Sequence, residues 1–497
     1  VSFMPIKIYN SLTHKKEEFI PLNPTEVNIY TCGVTVYDEC HIGHARSLYV
    51  FDCLRRYLQY RGFKVNFVRN ITDIEDKIIN RAKELKIGWK ELVDKYINRY
   101  YEDLEALGIE RADFEPRATE NILEMIKYIE GLINKGYAYV TETGVYFKVR
   151  KFKDYGKLSG QSIEQMLTGV RKEPDESKKD PLDFALWKIA KPDEPYWDSP
   201  WGKGRPGWHI ECSVMSQKFL KTDTLDIHAG GRDLIFPHHE NEIAQAEALT
   251  DKPFAKYWLH HGLLTINSQK MAKSLGNFVT IKDFVAKYKN ADLLKLFFLS
   301  AHYSHPIDYT EEKIEEARQA LERILILRDK IERKVSPPAS GQASIPACVG
   351  AGKYQLSSKK FTEIEEIKNK FLEAMDDDFN TPQALASIFE LVNITNKNID
   401  DPEFIFEAKV LLYNLADRLG LNLSRYVIVK AEVIELKVSS GDVSVRTESD
   451  IDSLIEKRNK ARKNKDFALS DKIRKELEEK DVILEDTKEG TIWRRKI

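Results

Sequence analysis

The chain has 497 residues, of which 42% are hydrophobic, and at about 150 residues per domain this length predicts about three domains. A formal net charge of −2 excludes a polyanion partner recognised by the whole chain. Five cysteines are too few, and odd in number, for a disulfide framework, so we expect reduced thiols with one or two as metal ligands. With no apolar run of about 18 residues and no signal pattern, the sequence predicts a soluble, cytoplasmic protein without a membrane segment.

The first predicted unit is strand, helix, strand. Val27–Val36 is short and β-branched, which predicts a buried parallel strand. After His44, apolar residues recur at helical spacing up to a C-terminal cap at Gly62, and Val65–Ile71 predicts a second strand. Such a unit implies a parallel sheet with a right-handed crossover. The tetrapeptide His41-Ile42-Gly43-His44 would then lie at the carboxyl edge of the sheet and the start of a helix, where phosphate binds.

The middle of the chain predicts an insertion followed by a return to the sheet. Residues 115–200 have mixed strand signals, such as Val145–Val149, and a charged loop at Arg171–Asp180. From Trp208 to His261 the pattern is again one of strands and short helices. We therefore expect a segment inserted between two halves of one sheet.

The second half of the chain is predicted to be mainly helical. Residues 285–335 and 360–420 have apolar residues at helical spacing. The segment between them, Val335–Ser358, is rich in Pro, Ser, Gly and Ala and predicts a linker. A second break at Ser439–Ser449 precedes a final module.

A second short motif, Lys270-Met271-Ala272-Lys273-Ser274, changes the significance of the first. Alone, His41 could simply cap a helix, His44 could be a satisfied polar residue, and the lysines could form a solvated loop. In this order, the two motifs resemble the two ATP-handling signatures of the class I aminoacyl-tRNA synthetases. Ala272 stands where that family most often has Ser, a position without charge.

The resemblance implies a role for each signature residue. His41 and His44 would donate hydrogen bonds to the α-phosphate of ATP, and Gly43 would let the adenine ring lie against bare backbone. Lys270 and Lys273 would neutralise the β- and γ-phosphates of Mg-ATP as pyrophosphate leaves.

Four further residues could hold a metal ion. Cys32, Cys212, His238 and Glu242 form a donor set that suits zinc, and the last two are spaced i, i+4 on a predicted helix. Alternatively, the cysteines are small buried hydrophobes and Glu242 is a surface residue. His239, beside His238, is a second possible ligand.

The sequence blocks around these four positions decide between the alternatives. Thr31–Asp38, Gly204–Ser213 and Gly230–Glu242 resemble the blocks around the zinc ligands of the cysteinyl-tRNA synthetases, and with them nearly the whole chain is similar to that family. The resemblance favours His238 over His239 as the ligand. It implies one zinc ion per chain that selects the thiolate of cysteine over the hydroxyl of serine, which pocket shape rejects poorly.

The same resemblance points to the walls of the substrate pocket. It places Gly33, Thr72 and Trp208 against the amino acid and Asp233 against the adenosine. Two of these residues have an ordinary alternative. Thr72 could be a helix N-cap with Glu75 in the first turn, and Trp208 could be a core residue.

The C-terminal module has a local basic surface. Residues 457–465 carry six positive charges and no negative one, and the flanking apolar residues predict helix, turn, helix. Thr487–Gly490 then predicts a hairpin turn. The module resembles the anticodon-binding domain of the same family. The resemblance implies that single-stranded bases are contacted by Arg462, Asp471, Asp486 and Trp493.

The resemblance as a whole implies an α/β fold with an ordered set of parts. They are the two halves of a Rossmann-like parallel-sheet catalytic domain (1–115 and 204–284), a connective insertion (116–203), a stem-contact helical region (285–335), a flexible linker (336–358), an α-helical bundle (359–438) and a small mixed α/β anticodon-binding module (450–497).

The expected function is that of a monomeric enzyme. It activates L-cysteine with ATP and transfers the cysteinyl group to tRNA(Cys), with zinc and Mg²⁺ as cofactors. One alternative is the cysteine–glucosaminyl-inositol ligase of mycothiol synthesis, which lacks an anticodon module. Another is a catalytically dead paralogue that binds RNA.

Overall fold

The computed structural model describes residues 5–169, 177–272, 275–335, 359–423, 448–464, 466–479, 482–487 and 490–495. The predicted linker 336–358, the greater part of the break at Ser439–Ser449, and both Lys273 and Ser274 lie outside the described residues. The chain divides into two compact units, one formed by Val1–Lys287 with Ala291–Leu423 and the other by Tyr288–Asn290 with Ser424–Ile497. Among the described helices none is long and apolar enough to cross a membrane.

The described strands and helices are numbered here in chain order. The strands are β1 (Lys7–Asn10), β2 (Lys15–Glu18), β3 (Glu26–Thr31), β4 (Lys64–Arg69), β5 (Ala138–Val140), β6 (Gly144–Phe147), β7 (Phe184–Ile189), β8 (Gly204–Pro206), β9 (Leu225–Gly231), β10 (Ala255–His261), β11 (Leu264–Ile266), β12 (Gln269–Lys270), β13 (Ile307–Tyr309), β14 (Val482–Thr487) and β15 (Gly490–Arg495). The helices are α1 (Ile42–Tyr60), α2 (Asp76–Leu85), α3 (Trp89–Leu107), α4 (Ile122–Asn134), α5 (Ile163–Gly169), α6 (Trp208–Leu220), α7 (Glu240–Thr250), α8 (Ile281–Tyr288), α9 (Asp292–Leu299), α10 (Glu311–Val335), α11 (Lys359–Asp376), α12 (Thr381–Lys397), α13 (Pro402–Arg418), α14 (Glu448–Lys463) and α15 (Phe467–Glu478).

A four-stranded parallel sheet organises the first unit. Its order is β10-β9-β3-β4, and Ile29 of β3 lies opposite Phe67 on one side and Ile227 on the other. These side chains are buried, as expected for a parallel sheet covered by helices. The predicted parallel sheet is confirmed, although the first strand ends at Thr31 rather than at Val36.

Helix α1 connects β3 to β4 and begins at the predicted place. His41 is its N-cap, and Arg61 ends it, followed by Gly62 with a φ of +93°. Glycine adopts that conformation without strain and therefore suits the residue that follows a helix. The predicted end of the helix at Gly62 is confirmed. The first turn of this helix therefore lies at the carboxyl edge of the sheet.

The insertion folds into its own sheet. Strands β5, β6, β7 and β8 form an antiparallel sheet in chain order. Its apolar face packs with α4 and α6 around residues such as Phe147, Trp187 and Met215, which are fully buried. The strand predicted at Val145–Val149 is confirmed with a shift, because it spans Gly144–Phe147.

Helices dominate the rest of the first unit. Leu321, Ile324 and Leu327 point into the core from α10, which confirms the helical periodicity read from the sequence. Three short strands lie before this helix: β11 pairs in parallel with β13 and forms a hairpin with β12. That hairpin ends at Lys270 and so carries the second signature.

The second unit contains α14, α15 and a hairpin of β14 and β15, which confirms the predicted helix, turn, helix and hairpin. Thr487 pairs with Gly490 at the turn. Its small core is formed by Ile451, Ile455, Ile473, Leu477, Val482 and Leu484.

Candidate functional site

Four predicted metal ligands meet beside the end of β3. Cys32 follows that strand, Cys212 lies on α6, His238 precedes α7 and Glu242 lies on α7. Their donor atoms all lie within 4.8 Å of one another. The two sulfur atoms are 3.8 Å apart, Cys212 Sγ is 3.5 Å from His238 Nε2, and that nitrogen is 2.7 Å from a Glu242 oxygen. Glu242 is fully buried, so the alternative of a surface residue is wrong.

An irregular turn lets two adjacent histidines reach the two sulfur atoms. Ile235–His239 forms a π-helical turn in which Phe236 is extended. His238 Nε2 therefore lies near Cys212, while His239 Nε2 lies 3.2 Å from Cys32 Sγ. A second set of close donors, Cys32, His228, His239 and Glu242, shares two members with the first. His239 thus remains a possible ligand on geometry alone.

Burial and neighbouring groups shift the pKa values of the donors in both directions, and burial raises that of the Cys32 thiol well above its usual range. Burial works against the charge on Glu242, but His228 and His238 lower the pKa of its carboxyl group well below the usual range. Burial likewise opposes ionisation of Cys212, but its contacts with Cys32 and His238 lower the pKa of its thiol. A set of two Cys, one His and one Glu, in which the pKa values of Glu242 and Cys212 are both lowered, matches the ligands that zinc accepts.

Trp208 and Thr72 lie against this cluster. The ring of Trp208 is only half-buried and stacks on that of His238, with centroids 4.0 Å apart. It is therefore not an ordinary core residue. Thr72 is buried and donates a hydrogen bond of 2.8 Å to the carboxylate of Glu211. The N-cap of α2 is Glu75, so the alternative role of Thr72 as a cap is wrong. Glu211 carries no local sequence signal for this partnership.

Gly33 is required by a close approach of two chain segments. A Cβ at this position would lie 1.6 Å from the carbonyl oxygen of Asn70. Its amide also donates to the Asn70 side chain at 2.8 Å. Only glycine fits this contact. Asn70, which sequence reasoning did not single out, thus joins the ends of β3 and β4 next to the cluster.

The two histidines of the first signature bind one another. His41 and His44 accept hydrogen bonds of 3.2 Å from each other's backbone amides, and their rings stack at 3.7 Å. The expected alternative, in which His41 caps the helix, is therefore observed. Desolvation and the neighbouring His41 lower the pKa of His44 well below its usual range. The ring of His44 is therefore neutral at neutral pH, and one of its nitrogens still carries a proton to donate.

The two signatures lie side by side. A Cβ on Gly43 would be 3.5 Å from the terminal methyl group of Met271. The backbone of Ile42 donates to Val279 at 3.1 Å, and that of Ile281 donates to Cys40 at 2.9 Å. The start of α1 is thus bonded directly to the chain that follows the second signature.

Asn277 bonds to two described residues of the second signature. Its side chain accepts a hydrogen bond of 2.8 Å from the amide of Ala272 and donates one of 3.2 Å to the carbonyl of Lys270. Lys270 is exposed at the end of β12. Asp233 is also exposed, in the turn that follows β9 at the carboxyl edge of the sheet. Lys270, Asp233, the histidines and the cluster all belong to the first unit.

In the second unit the structure reveals an ion pair that the sequence did not indicate. Arg458 donates two hydrogen bonds, of 2.9 and 2.8 Å, to the carboxylate of Asp486, and Arg462 donates a third of 2.5 Å. Arg458 is buried, whereas Asp471 is exposed. Trp493 lies on β15, but its side chain is outside the described residues. Two of the expected anticodon contacts, Arg462 and Asp486, are therefore partners of each other.

Comparison with known proteins gives the same picture as the geometry. Residues 18–319 match the family of tRNA synthetases class I (C) catalytic domains, residues 370–424 the DALR domain, and residues 446–494 the cysteinyl-tRNA ligase anticodon binding domain. The parallel sheet, the two adjoining signatures and the first of these matches define a class I aminoacyl-tRNA synthetase. The cysteine–tRNA ligase of Persephonella marina is 49% identical to this chain over 99% of its length and 100% of that relative. The chain belongs to the cysteine–tRNA ligase family.

Two solved structures share the fold at low identity. Mycobacterium tuberculosis methionyl-tRNA synthetase in complex with methionyl-adenylate has a TM-score of 0.56 at 14% identity, with 80% of this chain and 89% of that chain covered. The ternary complex of Agrobacterium radiobacter K84 agnB2 LeuRS with tRNA and LeuAMS has a TM-score of 0.60 at 10% identity, with 82% and 86% covered. The class I fold predicted from the two signatures is confirmed.

Proposed function

We propose that this chain activates L-cysteine with Mg-ATP and transfers the cysteinyl group to tRNA(Cys). The cysteine carboxylate attacks the α-phosphate, so that cysteinyl-adenylate forms and pyrophosphate leaves. The terminal ribose hydroxyl of the tRNA then takes the cysteinyl group and AMP leaves. The observation that carries the proposal is the close set of thiol, imidazole and carboxylate donors on the same sheet edge as the two nucleotide signatures.

The nucleotide would bind between α1 and the described part of the second signature, which is bonded to Asn277. His41 and His44 would donate hydrogen bonds to the α-phosphate at the N-terminus of α1, where the helix dipole also favours negative charge. Lys270 and Lys273 would stabilise the charge that builds up on the departing pyrophosphate. The bare backbone at Gly43 leaves room for the adenine ring, and Asp233 stands at the same edge for the ribose.

The donor cluster would hold one zinc ion through Cys32, Cys212, His238 and Glu242. A bound zinc ion would supply a soft acceptor for the substrate thiolate, for which the hydroxyl of serine is a far poorer ligand. Because His228 hydrogen bonds to the second oxygen of Glu242 at 2.5 Å, it would fix the orientation of that ligand. Gly33, Thr72 and Trp208 would form the walls around the amino acid.

The C-terminal unit would bind the anticodon end of the tRNA as part of a monomeric cytoplasmic enzyme. The basic stretch 457–465 lies mainly on α14 and would contact phosphates. Unpaired bases would be recognised by Asp471, Trp493 and the Arg462–Asp486 pair. The match of residues 446–494 to an anticodon binding domain supports this part of the proposal.

Two assays in sequence test the function. Cysteine should drive ATP–pyrophosphate exchange, whereas serine at the same concentration should not. The same protein should then charge tRNA(Cys) with cysteine. A chain that exchanges pyrophosphate but transfers the cysteinyl group only to the amine of glucosaminyl-inositol, forming an amide as AMP leaves, would be the mycothiol-type ligase. A chain that binds tRNA and shows no cysteine-dependent exchange would be the inactive paralogue.

A further inference from the structure

Arg46 is buried on α1, less than one turn beyond His44. Its Nη1 donates hydrogen bonds to the carbonyl oxygens of Gly262 at 2.8 Å and Leu263 at 2.9 Å. Its Nη2 donates to the carbonyls of Tyr303 at 3.2 Å and His305 at 2.5 Å. The side chain therefore joins one helix to two separate segments of the chain.

The charge on Arg46 is held by backbone dipoles. Burial lowers the pKa of its guanidinium to about 10, so the group stays protonated at neutral pH. Among the described residues no carboxylate forms an ion pair with it. A buried charge without a counter-ion costs stability relative to a well-packed apolar side chain. Its contribution is therefore to geometry, because the planar fork can bind four carbonyls in one fixed arrangement.

The four carbonyls mark the root of the hairpin that ends at Lys270. Gly262 and Leu263 connect β10 to β11, and Tyr303 and His305 lead into β13, the parallel neighbour of β11. The two segments touch here, since a Cβ on Gly262 would lie 2.1 Å from the carbonyl oxygen of His305. Arg46 thus holds both segments against α1 at the point where they are closest.

The hairpin itself is held at its tip. Asn267 and Ser268 have φ values of 49° and 62°, which form a tight turn between β11 and β12. Asp308 of β13 accepts hydrogen bonds from Thr265 Oγ1 at 2.6 Å and from the amide of Ser268 at 2.7 Å. Because the tip is bonded to β13, a displacement at the root would move the whole hairpin with Lys270.

We propose that Arg46 is a positioning residue that sets the distance between the signature histidines and Lys270 of the second signature. The inference rests on the proposed function, in which both pairs act on one ATP molecule. His41 and His44 lie on the same helix as Arg46, and Lys270 lies on the hairpin whose root it binds. This side chain thereby fixes the root of the hairpin relative to α1, in addition to the backbone bonds that join the start of α1 to Val279 and Ile281.

Arg46→Lys is the discriminating variant. Lysine keeps the charge, but its single ammonium group cannot span four carbonyls. A misplacement of about 1 Å costs up to about 100-fold, so we expect kcat for cysteine-dependent ATP–pyrophosphate exchange to fall about 10- to 100-fold. The KM for cysteine should change by less than about twofold, because the donor cluster is not displaced.

Arg328→Lys is the matched control. Arg328 is also a buried arginine on a helix of this unit and donates to the carbonyl of Leu423 at 2.8 Å, and its hydrogen bonds given for the described residues go to neither signature segment. Its exchange kinetics should match those of the unsubstituted chain. A kcat for Arg46→Lys equal to that of the control, or a loss expressed equally in the KM for cysteine, would overturn the inference.

Hydrogen exchange supplies a readout that does not depend on activity. Amides of residues 262–270 should exchange faster in Arg46→Lys and not in Arg328→Lys. If the lysine variant does not fold, Arg46→Gln, which buries no charge, takes its place in both experiments with the same expectations. If the unsubstituted chain shows no cysteine-dependent exchange, the proposed function fails. Unchanged protection of residues 262–270 in the variant means instead that the positioning role fails.

Discussion

Replacing Asp486 with Asn should loosen the C-terminal hairpin rather than merely remove a base contact. The carboxylate accepts two hydrogen bonds from Arg458 and one from Arg462. These bonds fasten the end of β14 to α14. An amide offers one acceptor oxygen and no charge. The guanidinium of Arg458, whose side chain is 3% exposed, would then lose its counter-charge.

The size of the loss follows from the burial of the two partners. Removing one partner of a buried pair costs about 3–5 kcal/mol. The Asp486 side chain is 34% exposed, so solvent screening reduces the expected loss to about 2–3 kcal/mol. A core as small as that of this module supplies no more than about 3–5 kcal/mol. The substitution would therefore remove about half of the stability of the module or more.

Hydrogen exchange of residues 448–495 in the full chain would measure this loss. Arg462→Gln is the control, since Arg462 is 44% exposed and an exposed pair contributes no more than about 1 kcal/mol. If Asp486→Asn leaves amide protection unchanged while tRNA charging falls, the structural argument is wrong and Asp486 acts on the tRNA directly.

The same ion pair predicts how the stability of the module depends on pH. The hydrogen bonds with Arg458 hold the pKa of the Asp486 carboxyl group well below its usual range, although partial burial acts to raise that pKa. A depressed folded-state pKa stabilises the fold fully above the unfolded value of about 3.9. This contribution declines as the pH falls below that value towards the folded pKa. In the Asp486→Asn variant this contribution is absent at every pH, so the amide protection of the module should lose the decline at acidic pH that Asp486 causes in the unsubstituted chain.

Three other substitutions or deletions test the proposed site. Cys212→Ser should remove most of the co-purifying zinc, which metal analysis would show. Exchange kinetics should show that it raises the KM for cysteine more than the KM for ATP. Full zinc content in the variant would exclude Cys212 as a ligand. Lys273→Ala should lower kcat for adenylate formation by about 10²–10³ with cysteine binding nearly intact, and an unchanged exchange rate would make the loop an ordinary surface feature. Removing residues 448–497 should leave cysteine-dependent exchange in place, since both signatures and the donor cluster belong to the first unit. It should sharply reduce tRNA charging, and the remaining charging should depend less on salt. Full charging by the truncated chain would contradict the anticodon assignment.

Local patterns in the sequence predicted the framework of the site well. The strand, helix, strand unit and the stop at Gly62 depend on neighbouring residues, and the structure has all of them. The strand prediction extended too far, to Val36, because apolar periodicity does not show where Gly33 meets the backbone of Asn70. The regular strand ends at Thr31, and beyond that contact the pairing continues only as an isolated bridge between Thr35 and Thr72.

Partners distant in the sequence were the main source of error. The pattern around Thr72 looks like a local N-cap, yet its hydroxyl bonds to Glu211, 139 residues further along the chain. Arg46 reads as one polar residue within a helix, while its first acceptor lies 216 residues away. Arg458 is likewise hidden in a basic run that indicates solvent or phosphate. No local spacing rule predicts such contacts, because the tertiary fold creates them.

The wide spacing of the donor cluster also has a consequence for how the protein is made. Cys32 and Glu242 are separated by 210 residues, and the other donors also come late in the chain. At a synthesis rate of about 5–20 residues per second, Cys32 would leave the ribosome about 10–40 seconds before its last partner exists. During that interval the donors that lie beside its thiol in the folded chain are not yet present, and an exposed thiol is open to oxidation. We therefore expect oxidation of Cys32 to occur in newly made chains before it occurs in folded ones, in which the other donors surround it.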